Sequence, residues 1–266
     1  MKRGLINGTN YEVEGKSKHA LVFIHGLGLT KEMWQYQISY FRDKYCVLTY
    51  DLFGHGFSET SNSDPSLQVF TQQLKVLLDS LNLSKVVLIG FSLGGMVARH
   101  FARLHASRTQ ALVVLNSAHR REKSAQQAIV ERYNKVLKFG PKSTVEDAIK
   151  RWFTPKFERH NKDKMDLVRS WILSNKPELY AKNYRVLVNE VGEVINKKNK
   201  ISCPTLVVTA DEDYGNGPDM AKAITDEIES AKLIILKGLR HMALFESPDE
   251  VNKKLGTFLS SVRMGE

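Results

Sequence analysis

The sequence is poor in cysteine, in long apolar runs and in acidic charge, and each shortage removes a class of protein. Of 266 residues two are cysteines, Cys46 and Cys203, far apart and without a partner motif. That excludes a disulfide framework and a cysteine-rich metal site, and a reducing cytoplasm is the expected compartment. Nowhere do about eighteen apolar residues run together, so no membrane-spanning helix is expected. The start, Met1-Lys2-Arg3-Gly4-Leu5-Ile6-Asn7-Gly8, has two positive charges and no apolar stretch behind them, unlike a signal peptide. No HExxH, EF-hand, P-loop or dinucleotide fingerprint occurs, and neither a metal nor an organic cofactor is expected. What is present is ordinary: 42% hydrophobic, 26% charged and 9% aromatic residues. That suffices for a sizeable core in one large domain, or one domain with an insertion.

Acidic residues are the scarcer charged class, 29 Asp+Glu against 39 Lys+Arg, for a net charge of +10. The excess is local. Residues 119–200 contain 20 Lys+Arg and 10 Asp+Glu, which leaves 19 of each elsewhere. Acidic residues alternate with the basic ones and no nucleic-acid motif appears, so a nucleic-acid or membrane surface is not expected. The interleaving points to solvated helix faces, with attraction of anionic substrates as the alternative.

Apolar runs of strand length recur at 20–25, 46–50, 86–90, 111–116, 205–210 and 232–236, separated by helical stretches such as 68–81, 96–105 and 250–262. This alternation predicts an α/β fold with a mostly parallel sheet flanked by helices. Residues 119–200 break the rhythm with Lys/Arg-rich helical stretches and breakers at Gly140-Pro141, Pro155 and Pro177. They read as a helical insertion between 1–118 and 201–266. In parallel sheets the loops leaving the carboxyl ends of strands collect functional groups.

Gly90-Phe91-Ser92-Leu93-Gly94 is a G-x-S-x-G pattern directly after an apolar strand and directly before a helix. That context makes a nucleophile elbow, in which a strained turn projects the Ser92 hydroxyl. A serine hydroxyl needs a base within hydrogen-bond reach and a carboxylate to orient that base. The chain order Ser, acid, His is met by the loop Asp211-Glu212-Asp213 and by His241, the only histidine in a loop after the last strand. Spacing alone leaves Asp211, Glu212 and Asp213 open as the acid. An oxyanion needs two N–H donors, expected from Leu93 and from Leu27 in the His25-Gly26-Leu27-Gly28 loop. His25 itself is expected to buttress that loop by hydrogen bonding.

These residues together resemble the α/β-hydrolase superfamily over nearly the whole chain. Its landmarks appear in order as HGLG at 25–28, DLFGHGFS at 51–58, GFSLGG at 90–95, ADEDYGNGP at 210–218 and RHMALFESP at 240–248. The acid loop of such proteins reads G-x-x-D, and Ala210-Asp211-Glu212-Asp213 matches with alanine for glycine. The resemblance thus implies Asp213 as the acid, a structural role for Asp51 and His55, and a cap, or lid, at 119–200. Serine at position 92 argues against haloalkane dehalogenases and epoxide hydrolases, whose nucleophile is aspartate. Within the serine branch, Arg151-Trp152-Phe153-Thr154-Pro155 and Ser117-Ala118-His119-Arg120-Arg121 look like 3-oxoadipate enol-lactonases and small carboxylesterases. Trp152 is a candidate pocket residue, with cap packing as its other role. C–C bond hydrolases often place tryptophan after the catalytic histidine, whereas Met242 follows His241. The resemblance implies hydrolysis of a small ester or lactone through an acyl-enzyme. C–C hydrolysis, perhydrolysis and slow-turnover ligand reception are the alternatives on the same scaffold.

Overall fold

A computed structural model describes residues 1–195 and 200–263. Eight strands form one sheet: β1 (Lys2–Ile6), β2 (Thr9–Glu14), β3 (Ala20–Ile24), β4 (Cys46–Tyr50), β5 (Val86–Phe91), β6 (Thr109–Leu115), β7 (Thr205–Ala210) and β8 (Ala231–Leu236). Their spatial order is β1-β2-β4-β3-β5-β6-β7-β8. The pairs β1–β2 and β2–β4 are antiparallel and all others are parallel. Every residue of β3, β5 and β7 is buried, as expected of parallel strands covered on both faces. The six strand-length runs of the sequence are β3 to β8.

The first two strands were not expected. Their residues mix polar and apolar side chains, and they join through Asn7-Gly8, whose φ values of 46° and 74° make the positive-φ pair of a tight hairpin turn. The hairpin extends the sheet beside β4.

Helices fill the connections: α1 (Gln35–Phe41), α2 (Leu67–Ser80), α3 (Leu93–Leu104), α4 (Lys123–Phe139), α5 (Val145–Trp152), α6 (Pro155–His160), α7 (Lys162–Leu173), α8 (Pro177–Asn189), α9 (Pro218–Asp226), α10 (Ala243–Glu246) and α11 (Pro248–Ser261). Prolines open α6, α8, α9 and α11, where the missing N–H costs no helical hydrogen bond. The Ser66 hydroxyl accepts the Val69 N–H at 3.1 Å and caps α2. Between β6 and β7 the described chain is helical throughout, α4 to α8, with no strand. No described helix is long and apolar enough to cross a membrane.

Register brings the loops of interest together. Ile24 of β3 lies opposite Gly90 of β5, Gly90 opposite Val114 of β6, and Leu115 opposite Val208 of β7. The loops beginning at His25, Ser92, Asn116 and Asp211 therefore leave one edge of the sheet side by side.

Candidate active site

Ser92 sits between β5 and α3 with φ 53° and ψ −114°, a conformation that side-chain-bearing residues rarely adopt. Such a residue costs about 1–3 kcal/mol and persists only where its surroundings over-determine it. Here they do. The Ser92 N–H donates to Leu115 O at 2.9 Å, and Ser92 O accepts from the Ser117 hydroxyl at 2.8 Å. A Cβ on Gly90 would lie 2.2 Å from Gly94 O, and one on Gly94 would lie 2.1 Å from Ile24 O. Only glycine fits at either position, so the turn can close against β3.

The structure brings one of the three candidate carboxylates to His241. Asp213 Oδ2 accepts from His241 Nδ1 at 2.8 Å and from Asn116 Nδ2 at 2.9 Å, while Oδ1 accepts the N–H groups of Gly215 and Asn216 at 3.0 Å each. Burial by itself would raise the Asp213 pKa, but the His241 charge and the donated hydrogen bonds outweigh it and hold the carboxyl below its ordinary value. Asp211 instead accepts the Gly238 N–H at 2.8 Å, and Glu212 pairs with Arg240 at 3.3 Å. With Nδ1 donating to Asp213, the opposite nitrogen of His241 is left as an acceptor. Ser92 and His241 line the same cavity, and no hydrogen bond of 3.5 Å or less joins their side chains. Such contacts are commonly loose without substrate.

Asn116 was missed in the sequence. It has φ 47°, donates to Asp213, and its carbonyl accepts the Asn216 side-chain amide at 3.0 Å. Together with the Thr209 hydroxyl, which donates to Asn216 O at 2.7 Å, it fixes the acid loop against the end of β6. Its signal was an asparagine closing an apolar strand, a place where positive φ is tolerated.

Gly26 and Leu27 line the cavity beside Ser92, and a Cβ on Gly26 would stand 3.2 Å from Ser92 Cβ. Among the described residues no group accepts the backbone N–H of Leu27 or of Leu93, the first residue of α3. His25 is fully buried; its Nε2 accepts the Leu52 N–H at 2.9 Å and its Nδ1 donates to Gly26 O at 2.7 Å. Both ring nitrogens are thus engaged. Burial pushes its pKa down to about 4, and burial with the neighbouring His25 pushes His55 down to about 3. Asp51 accepts from the Lys31 N–H, the Phe57 N–H and the Asn10 amide, at 2.7, 3.1 and 2.8 Å. These three side chains hold the loop turns.

Trp152, at the end of α5, lines the cavity with its ring centroid 5.7 Å from that of His241. Its carbonyl accepts the Met242 N–H at 2.9 Å, which ties α5 to the histidine loop.

The remaining wall holds a finding the sequence did not give. Arg121, Arg132 and Arg151, with Tyr180 and Tyr184, line the cavity of Ser92, whose volume is about 170 Å³. The expectation that the basic excess solvates outer helix faces fails for these three residues. Burial, and then the charge of Arg132, pushes Arg151 down from the ordinary guanidinium value, and burial lowers Arg121 to about 10. A guanidinium side chain is a cation at neutral pH. Among the described residues no cluster of three or more His, Cys, Asp or Glu side chains could hold a metal ion.

The elbow, the acid-histidine pair and the sheet order define the class. Residues 19–248 match the model of the alpha/beta hydrolase fold family, and the chain belongs to that family. It is a hydrolase with full-length relatives. It is 28% identical to (E)-2-((N-methylformamido)methylene)succinate hydrolase of Acinetobacter baylyi, over 96% of this chain and 95% of the relative. To 3-oxoadipate enol-lactonase 2 of the same organism it is 29% identical, over 91% and 90%. The enol-lactonase of Burkholderia xenovorans LB400 superimposes with a TM-score of 0.87 at 23% identity, covering 98% of this chain and 100% of that one. A thermophilic esterase from Thermogutta terrifontis, solved with malate bound, gives 0.88 at 24%, covering 99% and 100%. These structural likenesses establish the fold.

Proposed function

We propose that the chain hydrolyses small carboxylic esters or lactones through an acyl-enzyme on Ser92. The observation that carries this reading is the 2.8 Å hydrogen bond between His241 and a buried Asp213, in the cavity that Ser92 lines. His241 Nε2 takes the Ser92 proton as Oγ attacks the carbonyl carbon. The negative oxygen that results is held by the Leu27 and Leu93 N–H groups, which have no other acceptor among the described residues. Asp213 stabilises the imidazolium. As the tetrahedral species collapses, the C–O bond breaks and His241 gives its proton to the leaving alkoxide. A water then attacks the acyl-enzyme by the same route, which releases the acid and restores Ser92. The helices α4 to α8 serve as a lid over the site, with the core divided as 1–118 and 201–266. Trp152 bounds the substrate beside the base.

The enol-lactonase relative supports a lactone or ester substrate. A second reading is hydrolysis at an amide-type carbonyl, because the other relative's named substrate contains a formamido group and no ester. Both readings use the same triad.

Replacing Ser92 with alanine leaves the oxyanion donors in place and removes the covalent route. Turnover of p-nitrophenyl acetate and of an enol-lactone should fall by about 10⁴-fold or more. Near-wild-type turnover in Ser92→Ala would refute the reading, and comparing an ester with an N-acyl enamine separates the two substrate classes.

A further inference from the structure

We propose that Arg121, Arg132 and Arg151 form an anion-binding chamber in the Ser92 cavity, and that the substrate carries two carboxylates besides its scissile carbonyl; this rests on the reading of Ser92 as the nucleophile. The three arginines come from separate places in the chain: the loop after β6, the middle of α4 and the end of α5. Helix periodicity therefore does not force them onto one face. Each is half-buried, and each lines the cavity.

Like charges brought together out of water repel, and removing a guanidinium from water without a partner costs free energy. A fold normally offsets this with carboxylates. The insertion turns carboxylates outward instead: Glu146 and Asp166 pair with Arg169 on the outside, where Lys182 and Arg185 pair with Asp64 of the core. Among the described residues no carboxylate lies within 4.0 Å of Arg121, Arg132 or Arg151. Asp147 acts on Arg151 only through space, and the hydrogen-bond partner of Arg121 is a neutral amide, Gln126, at 3.5 Å. Among the described residues the three cavity arginines thus lack a carboxylate partner, whereas Arg169, Lys182 and Arg185 on the outside have one. Tyr180 and Tyr184 stand beside the arginines and add phenol groups to the same wall.

The count of two follows from the arrangement. Arg132, on α4, lines the cavity together with Arg121 of the loop before that helix and Arg151 at the end of α5, and its charge acts on both. Two bays result, Arg121 with Arg132 and Arg132 with Arg151. A guanidinium fork matches a carboxylate with two parallel hydrogen bonds, so each bay suits one carboxylate. One carboxylate would leave an arginine unmatched. A single phosphoryl group, though also doubly charged, would be compact and fill one bay.

The test is calorimetric titration of the full chain at low salt with succinate, acetate and inorganic phosphate. Succinate should bind at least about tenfold more tightly than either of the others, and added salt should weaken it. Arg132→Gln, which damages both bays, should weaken succinate by about 10–100-fold. Arg132→Lys should keep the charge but recover only part of the affinity, since it lacks the fork. Arg132→Gln should also melt higher than the wild type when no anion is present, because it relieves like-charge repulsion. Equal affinities for succinate and acetate, tighter phosphate than succinate, or unchanged succinate binding in Arg132→Gln would each overturn the proposal. Binding needs no turnover, so these results stand apart from the Ser92→Ala result. In kinetics, the preference in kcat/KM for a p-nitrophenyl ester bearing two carboxylates over p-nitrophenyl acetate should shrink in Arg132→Gln.

Discussion

Lowering the pH from about 7.5 to about 5 perturbs His25 and His55, and tests whether these histidines hold the loops or titrate like a proton-transfer group. In the folded protein burial holds their pKa values at about 4 and about 3. In the unfolded chain each returns to about 6.5. Between these values the unfolded state binds more protons than the folded one, so stability rises with pH and is lost as pH falls. At pH 5 each unfolded imidazole favours its proton by about 30 to 1 while the folded ones remain neutral. This stabilises the unfolded state by RT ln 30, about 2 kcal/mol per residue. The two together should lower the unfolding free energy by about 4 kcal/mol relative to pH 7.5. His100, His105 and His119 are also lowered by burial and act in the same direction. Asp51, whose pKa burial raises, acts in the opposite direction nearer its own titration. Urea unfolding at the two pH values measures the sum, and proton NMR of the histidine rings assigns it. A loss under about 1 kcal/mol, or a His25 resonance that titrates near neutrality, would refute the buttress role and make His25 available for catalysis.

Two further outcomes follow from the site. Asp213→Asn should lower kcat/KM by about 10³–10⁴-fold, because it favours the wrong histidine tautomer, whereas Asp211→Asn, whose carboxylate meets the Gly238 N–H and Lys237 rather than His241, should change it far less. Steady-state kinetics of the pair decides, and a larger loss in Asp211→Asn would reverse the assignment. Gly94→Ala would put a Cβ 2.1 Å from Ile24 O and 2.6 Å from His25 O, both backbone atoms. It should cost more than about 3 kcal/mol or abolish soluble folding, and a melting temperature equal to that of the wild type would contradict the close packing of the elbow.

The central sheet was legible because parallel strands buried on both faces are nearly continuous apolar runs, as in Val86–Phe91 and Thr205–Ala210. The hairpin of β1 and β2 was not, since its residues are only partly buried and carry charge. Asn7-Gly8 between two short runs was nonetheless a readable turn. The short helices α1 and α9 also went unassigned. The breakers at Gly140-Pro141, Pro155 and Pro177 did divide the insertion as written, with α4 ending at Phe139 and α6 and α8 opening on prolines. The positions of Ser92 at a strand-turn-helix and of His241 in the loop after the last strand were readable from local context. Spacing alone did not single out Asp213, because Asp211, Glu212 and Asp213 are consecutive; only the G-x-x-D resemblance pointed to it. Which of them turns inward depends on Asn116 and Asn216, a hundred residues apart. The three arginines were invisible for a related reason. Interleaved charge marks a helix as amphipathic without saying which side meets a cavity, and that direction is set by how α4 and α5 pack over the sheet.

The central claim is that Ser92 is the nucleophile and His241 its base. Mass spectrometry of the chain after treatment with a serine-directed phosphonate tests it most directly. One adduct is expected, on the peptide carrying Ser92, absent from Ser92→Ala and formed much more slowly in His241→Gln. Modification of a different serine, or equal labelling of Ser92→Ala, would contradict it.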